Sequence, residues 1–191
     1  GARGQLLIDS LGAFKLHEAI STGRKLDELG NIGWFEDALM PEDTASYPIL
    51  AESLDTAVCV GETLSNRFQF RDLFVQRGAD VINPDLSRAG GITECKRIAD
   101  MADTFGILWS PHLSSGLPPY VAASLHLAVA TPNAVILEGG NIHKAREIGE
   151  SRGNVLLKEP LEFKAGLARV PERPGLGIEF EEQELQKIVV G

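Results

Sequence analysis

The chain has 191 residues, of which 18 are basic and 27 are acidic, so its formal net charge is −9. With 43% hydrophobic and 24% charged residues, the composition is that of a globular protein. It excludes collagen-like, low-complexity and wholly disordered proteins, and the length predicts a single domain. The acidic balance argues against nucleic acid and anionic membrane surfaces as partners.

The two cysteines, Cys59 and Cys95, are too few for a disulfide framework, and we expect both to be buried and reduced. No apolar run approaches the roughly 18 residues of a membrane helix, and no charged-then-apolar signal segment opens the chain. We therefore expect a cytoplasmic protein without a membrane partner. Because the chain begins at Gly1 rather than at a methionine, we also expect it to be part of a longer one.

Short apolar runs alternate with longer stretches of helical character through the first 138 residues. The predicted strands cover residues 5–9, 32–36, 57–62, 81–85, 107–112 and 134–138. The predicted helices cover residues 13–29, 43–54, 66–77, 91–105 and 118–131. Short, mostly apolar strands separated by helices are typical of consecutive βα units, whose parallel strands are buried on both faces.

Each predicted strand ends on an ionisable residue, and successive members of this series are 23 to 27 positions apart. The series is Asp9, Glu36, Glu62, Asp85, His112 and Glu138. The nearly constant unit favours a TIM-type (β/α) barrel, and no Gly-x-Gly-x-x-Gly turn follows the first strand to support a dinucleotide site. Such barrels carry their chemistry at the carboxyl ends of the strands. Since a closed barrel has eight units, we expect an α/β barrel that is incomplete at its N-terminus, with about six βα units.

The pattern changes at residue 139, where a polar tail rich in glycine and proline begins. The tail contains a hairpin-like region over residues 155–180 and an amphipathic stretch over residues 181–190. We predict that residues 1–138 form the C-terminal part of a barrel catalytic domain. Residues 139–191 are expected to pack back on the barrel and on a capping domain that this chain lacks.

Three carboxylates, Asp9, Glu36 and Glu62, come from three neighbouring strand ends. Carboxylates that converge in this way need a cation to offset their charge, and all-oxygen ligands favour a hard divalent ion. The pattern indicates a metal site for Mg²⁺, with Mn²⁺ as the next choice. The alternative is that each is a solvated strand-end residue or a helix cap.

Asp85 and His112 end the next two strands, which places them within plausible hydrogen-bonding reach. A carboxylate beside an imidazole fixes its tautomer and raises its basicity, as in a general acid or base. Glu138 ends the sixth strand, and it is either a hydrogen-bonding carboxyl near a developing anion or part of a structural salt bridge. We interpret His17, His126 and His143 as surface or packing residues.

Taken together, these motifs resemble the mandelate racemase and muconate lactonizing subgroup of the enolase superfamily. The resemblance extends from Gln5 to about Phe180, in the order and spacing of the subgroup. The motifs that carry it are Ile8-Asp9, Trp34-Phe35-Glu36-Asp37, Val60-Gly61-Glu62, Asn83-Pro84-Asp85 with the residues through Thr93, Ser110-Pro111-His112, Leu137-Glu138 and the Pro171–Gly177 segment.

The resemblance implies that Asp9, Glu36 and Glu62 bind Mg²⁺, that Asp85 and His112 form a catalytic dyad, and that Glu138 assists the anion. It implies abstraction of the proton α to a substrate carboxylate, through an ene-diolate. Residues 84–99 are most similar to sugar-acid dehydratases of the galactonate type. We therefore predict a carbon–oxygen lyase that converts an aldonate or aldarate to a 2-keto-3-deoxy acid, and we expect a homo-oligomer.

The chain also departs from the family. Leu11 lies where an asparagine is frequent, and Asp37-Ala38 replaces a frequent Glu-Pro. The family's lysine motif and its capping domain would lie upstream of Gly1. There are three alternatives: a racemase or epimerase of a 2-hydroxy acid, a catalytically incomplete structural barrel, and an unrelated metal-dependent aldolase on the same fold.

Overall fold

The computed structural model describes residues 4–113, 117–138 and 152–188. Its strands are β1 Leu6–Asp9, β2 Ile32–Glu36, β3 Val58–Val60, β4 Val81–Ile82, β5 Leu108–Trp109, β6 Phe163–Lys164 and β7 Leu167–Ala168. Its helices are α1 Leu16–Leu29, α2 Tyr47–Glu52, α3 Arg67–Val75, α4 Gly91–Thr104, α5 Pro118–Val129, α6 Arg152–Val155 and α7 Glu182–Gln186, and a 3₁₀ turn covers Thr44–Ser46.

The first five strands form one parallel sheet in sequence order, β1-β2-β3-β4-β5. The register pairs Asp9 with Glu36 and Glu36 with Cys59, so the carboxyl ends of the first strands lie side by side. Helices α1 to α5 connect or follow these strands, as expected of consecutive βα units. This arrangement of sequential parallel strands and helices confirms the predicted incomplete α/β barrel.

The sixth predicted strand is shorter than expected. Residues 134–138 join the sheet through one bridge, between Ala134 and Trp109. The main-chain N–H of Trp109 donates to the carbonyl of Asn133, and the N–H of Val135 donates to the carbonyl of Trp109, both at 2.9 Å. The next donor in a parallel ladder would be the main-chain nitrogen of Pro111, and proline has no N–H. The pairing therefore stops after one bridge, although Ser110 Oγ still donates to the carbonyl of Ile136.

The five predicted helices are present with shifted ends. The stretch predicted as one helix over residues 43–54 divides into the 3₁₀ turn and α2. Pro48 lies in the first turn of α2, where the missing N–H of proline has no helical partner to lose. Among the described residues, no helix has the length and apolar character needed to cross a bilayer.

The main core lies between the sheet and its surrounding helices. Phe35 and Ile82 point from the strands toward buried faces of α3 and α4, including Phe74 and Ile98, all of them fully buried. The alternate residues of the strands face the other side, where Trp34, Cys59 and Val81 form a separate buried cluster. The period of two along each strand thus separates a helix-facing layer from an interior layer.

The tail packs back on the barrel through a second buried cluster. Leu157 and Leu161 of the tail contact Leu113 and the inner face of α5. The predicted hairpin-like region contains β6 and β7, which pair antiparallel. The division of the chain into a barrel part and a tail after residue 138 stays a prediction, and residues 139–151 lie outside the described part of the chain.

Gly61 occupies a position that other residues cannot adopt without strain. Its φ is +142°, and a Cβ atom there would lie 2.7 Å from Cε1 of Phe70. We expect Gly61→Ala to lower the free energy of unfolding by about 2 to 5 kcal/mol, from the combined backbone strain and overpacking. Gly30, at φ +68° with open space around its Cα, is the matched control, and Gly30→Ala should cost about 1 kcal/mol. Equal losses in urea unfolding would contradict the proposed contact with Phe70.

Candidate active site

The carboxyl edge of the sheet brings together the acidic residues predicted from the strand ends. Asp9 and Glu36 are the last residues of β1 and β2, whereas Glu62, Asp85 and His112 lie two or three residues beyond β3, β4 and β5. A parallel bridge between Asp85 and His112 extends the sheet at that level. The side chains of Asp9 and Glu62 are more exposed than those of Glu36, Asp85 and His112, which are buried.

Glu36 is held in place by two hydrogen-bond donors. Trp34 Nε1 donates to its Oε2 at 2.7 Å, and Asn83 Nδ2 donates to its Oε1 at 2.8 Å. Burial raises the pKa of Glu36 to about 7, and the negative charges of Glu138 and Asp9 act in the same direction against the hydrogen bond from Trp34. The carboxylate is thus oriented at a position where its own charge is unfavourable.

Asp37 brings a further carboxylate into the same region. It has a φ of +36°, which turns the chain immediately after β2, and Gly61 N lies 3.4 Å from its Oδ1. Its Oδ2 is buried and has no hydrogen-bond partner among the described residues. Burial raises the pKa of Asp37 to about 7, assisted by the charges of Glu62 and Glu36.

Glu36, Asp37 and Glu62 form the group in the described structure that could hold a metal ion. One carboxylate oxygen from each residue lies within 4.8 Å of the others. Asp9 lies outside this group, and its Oδ1 accepts a hydrogen bond from the main chain of Leu11 at 2.9 Å. Its charge still contributes to the raised pKa of Glu36 and of Asp37, so Asp9 is a neighbour of the group.

The donor set fits a hard divalent cation. All three groups are carboxylates, the ligand type that Mg²⁺ prefers, and the unpartnered Oδ2 of Asp37 is a buried oxygen that an ion would satisfy. A cation would also stabilise the charged forms of Glu36 and Asp37, whose pKa is raised by burial and, after it, by the charges of neighbouring carboxylates. The assignment of Asp9, Glu36 and Glu62 as the ligand set stays a prediction, with Asp37 as an additional candidate.

Asp85 and His112 are hydrogen-bonded, as their predicted positions suggested. His112 Nδ1 lies 2.8 Å from Asp85 Oδ2. Burial alone would raise the pKa of Asp85, but hydrogen bonds from His112, Ser87 and Tyr120 hold it well below its usual range. Asp85 is therefore an anion, and an acceptor-only partner places a proton on His112 Nδ1.

The other ring nitrogen of His112 faces the remaining carboxylates. Its Nε2 lies 2.8 Å from Glu62 Oε2 and 3.8 Å from Glu138 Oε2. Burial alone would lower the pKa of His112, but the hydrogen bonds with Asp85 and Glu62, together with the charge of Glu138, raise it to about 10. In the metal-free protein His112 is accordingly an imidazolium between two carboxylates.

Glu138 completes the arrangement from the sixth segment. Its Oε2 accepts a hydrogen bond from the main chain of Leu113 at 2.6 Å, directly after His112. Burial raises the pKa of Glu138, although this hydrogen bond and His112 oppose the shift. The residue lies at the same edge as the other predicted members, and its role stays a prediction.

Sequence reasoning did not assign a role to the residues that orient these groups. Trp34 and Asn83 lie two residues before Glu36 and Asp85, and residues two apart on a strand share a face, so this spacing was a usable signal. Asp37 directly follows Glu36 in the chain, and this adjacency was the signal for its place in the group. Tyr120 lies on α5, eight residues after His112, and no spacing rule connects it to the site.

Comparison with known proteins identifies the family. The family model described as "Enolase C-terminal domain-like" matches residues 1–184. The chain belongs to this family. This confirms the predicted enolase-superfamily membership, and the match covers every residue assigned to the site.

Named relatives of this enolase-superfamily chain include dehydratases. It is 36% identical over 151 residues to a D-galactonate dehydratase of Variovorax paradoxus (strain S110), an alignment that covers 78% of this chain and 39% of the relative. A mandelate racemase/muconate lactonizing enzyme-like protein from Rubrobacter xylanophilus DSM 9941 superposes with a TM-score of 0.87 at 29% identity, over 98% of this chain and 46% of that one.

A further solved structure is an L-talarate/galactarate dehydratase mutant liganded with Mg and L-glucarate. It matches with a TM-score of 0.80 at 29% identity, over 97% of this chain and 43% of that one. The chain thus spans less than half the length of these relatives. The fold and family are shared, and the activity of the whole protein is a matter for proposal.

The buried carboxylates predict a pH-dependent stability. Because Glu36 and Asp37 have folded-state pKa values above those of free carboxyls, protonation favours the folded state, and stability should fall as the pH rises from about 4 through about 7. His112 acts in the same direction, since its raised pKa contributes stability that is lost as the pH rises from its usual value through about 10. The lowered pKa values of Glu62 and Asp85 act only at more acidic pH.

We expect Asp37→Asn to raise the free energy of unfolding of the metal-free chain by about 1 to 4 kcal/mol at about pH 8, because it removes a buried charge. The gain should shrink at about pH 5, where Asp37 is already protonated. Urea unfolding at the two pH values measures this. Asp103→Asn, at an exposed position on α4, is the control that should change little. A variant less stable than wild type at both pH values would show that Asp37 is not held against repulsion.

Proposed function

We propose that the chain is the site-bearing part of a Mg²⁺-dependent sugar-acid dehydratase, which converts an aldonate or aldarate to a 2-keto-3-deoxy acid. The observation that carries the proposal is the contact of a hydrogen-bonded Asp85–His112 pair with a carboxylate group suited to a divalent ion, at one edge of an enolase-superfamily barrel. The D-galactonate and L-talarate/galactarate dehydratases among its relatives support the substrate class. The homo-oligomer and the cytoplasmic location stay predictions.

Glu36 and Glu62 would hold the ion, with Asp9 or Asp37 as the third carboxylate. When bound, Mg²⁺ supplies a Lewis acid that offsets the negative charge developing on the substrate carboxylate as its α proton leaves. The protein's part is to keep the donors fixed. Trp34 and Asn83 do this for Glu36 from within the interior layer of the sheet.

His112 is placed to act as the general acid. Asp85 accepts a hydrogen bond from Nδ1–H, and because the imidazolium carries a proton on both nitrogens, Nε2–H faces the other carboxylates at the mouth. Dehydration needs this proton, because the β carbon–oxygen bond breaks as the hydroxyl leaves, and protonation by His112 lets it leave as water. In the metal-free protein the raised pKa of His112 favours the protonated form that an acid requires.

The α proton needs a separate acceptor. The family resemblance implies a lysine on an earlier strand, upstream of Gly1, in that role. Glu138, held by the main chain of Leu113 beside His112, would contribute a hydrogen bond to the substrate anion when protonated. Its raised pKa favours that form.

We expect His112→Asn to abolish dehydration of galactonate and related sugar acids while Mg²⁺ binding is retained, because the variant removes the proton donor and leaves Glu36 and Asp37 in place. The assay uses the full-length protein and follows the formation of the 2-keto-3-deoxy acid. Calorimetry measures the Mg²⁺ affinity separately. The control is His17→Asn, at an exposed position on α1, which should leave both unchanged. Product formation by His112→Asn at the wild-type rate would contradict the assignment of His112 as the general acid.

The same assay in D₂O separates the alternatives. Deuterium incorporation at the α carbon without a keto acid product would indicate a racemase or epimerase. Neither exchange nor product, with Mg²⁺ still bound, would indicate a structural barrel.

Ligand substitutions test the ion site directly. We expect Glu36→Gln and Glu62→Gln each to weaken Mg²⁺ binding by more than about tenfold, since each removes one charged oxygen donor. Comparing Asp9→Asn with Asp37→Asn then decides which carboxylate completes the set. Asp103→Asn serves again as the control. Unchanged affinity in all four site variants would place the ion elsewhere.

A further inference from the structure

Tyr120 connects the two members of the Asp85–His112 pair from outside the sheet. Its Oη lies 2.8 Å from Asp85 Oδ2 and 2.7 Å from the main-chain oxygen of His112. We propose that Tyr120 is a positioning residue that sets the orientation of the dyad. The inference rests on the proposed function for its catalytic consequence, but the geometry it describes belongs to the folded chain.

The carboxylate of Asp85 is saturated by donors, and Tyr120 supplies one of them. Its Oδ1 accepts from the main chain of Ser87 at 2.7 Å and from Ser87 Oγ at 2.5 Å. Its Oδ2 accepts from His112 Nδ1 at 2.8 Å and from Tyr120 at 2.8 Å. A carboxylate offers about four lone-pair sites, so all of them are used and the plane of the group is determined. Asp85 is only 1% exposed, so water does not replace a lost donor readily.

The tyrosine hydroxyl has one proton and faces two acceptors. The Asp85 carboxylate and the His112 carbonyl both accept, so the proton is shared between them. The Tyr120 Oη therefore fixes the distance between the Asp85 side chain, which orients the imidazole, and the main chain of His112, which carries the imidazole. This constraint cannot be supplied by Ser87, which contacts only Oδ1.

The position of Tyr120 is itself well determined. It lies in the first turn of α5, and its ring packs against both the main core and the second cluster formed with the tail. Its main-chain N–H donates to Leu117 at 2.9 Å, and its carbonyl accepts from Ser124 Oγ at 3.0 Å. The hydroxyl is consequently delivered by a packed helix, a more rigid support than a loop.

Removal of the hydroxyl should loosen the dyad. In Tyr120→Phe, Oδ2 of Asp85 keeps a single donor, and the carboxylate gains freedom to rotate about its Cβ–Cγ bond. The imidazole then spends less time with Nε2 directed at the mouth. Since small misplacements of a reacting group are costly, we expect kcat to fall by about 10- to 100-fold with KM unchanged.

The chain contains two tyrosines, which supplies a matched control. Tyr47 is also buried, and its hydroxyl bonds the main chain of Leu39. Tyr120→Phe and Tyr47→Phe should therefore lose similar amounts of stability. Only Tyr120→Phe should shift or broaden the NMR resonance of the His112 Nδ1 proton in the metal-free protein, a signal assigned by its loss in His112→Asn.

The outcomes separate this inference from the proposed function. If the Nδ1 resonance and kcat are the same in Tyr120→Phe as in wild type, the inference is overturned. If the wild-type protein dehydrates no sugar acid, the proposed function fails, and the resonance alone still decides the role of Tyr120.

A second variant covers the case in which Tyr120→Phe does not fold. Fluorotyrosine incorporated into the Tyr47→Phe protein alters the hydroxyl of Tyr120 alone, makes it a stronger donor and leaves the ring nearly the same size. The His112 Nδ1 resonance should then move as the bond from Tyr120 to Asp85 strengthens. An unmoved resonance would reject the inference.

Discussion

His112 lies between two carboxylates, with Asp85 on one ring nitrogen and Glu62 on the other, and the rest of the site is organised around this ion pairing. A parallel sheet aligns the carboxyl ends of its strands, so it concentrates whatever charges those ends carry. Here they are nearly all negative. The imidazolium offsets part of that charge, and burial strengthens its attraction to both partners.

At Glu36 and Asp37, which lie beside Glu62, the negative charge is not offset in this way. Among the described residues, Glu36 and Asp37 have no positive neighbour as close as His112 is to Glu62, and burial raises their pKa values to about 7. The fold maintains this unfavourable arrangement through directed hydrogen bonds to Glu36 and through the left-handed turn at Asp37. Groups held against their own repulsion are typical of functional sites, and a divalent ion is the simplest means of relieving it.

The sheet does not close into a complete barrel, and apolar residues are exposed at both of its edges. Leu6 and Leu7 of β1 are 52% and 43% exposed, and Val135 and Ile136 at the other end are 48% and 50% exposed. Apolar strand residues of a parallel sheet are normally covered on both faces. The site nevertheless lies within the described sheet. Glu36, Glu62 and Asp85 follow strands that have neighbours on both sides, and His112 follows β5, which residues 134–138 join through one bridge. The incompleteness therefore affects the surroundings of the site more than the contacts within it.

The sequence by itself determined the βα order, the barrel class and the residues at the strand ends, because local periodicity and a nearly constant repeat carry that information. It also indicated the Asp85–His112 pairing, since neighbouring parallel strands align equivalent positions. The sequence also contains the reason that the sixth strand ends early, because Pro111 has no N–H to continue the ladder. Only the tertiary structure decided that Asp37 turns into the carboxylate group, that Glu62 contacts His112, and that Tyr120 reaches the dyad from α5. These contacts depend on a left-handed backbone turn, on side-chain conformation and on helix packing, and none of these follows from a repeat along the chain.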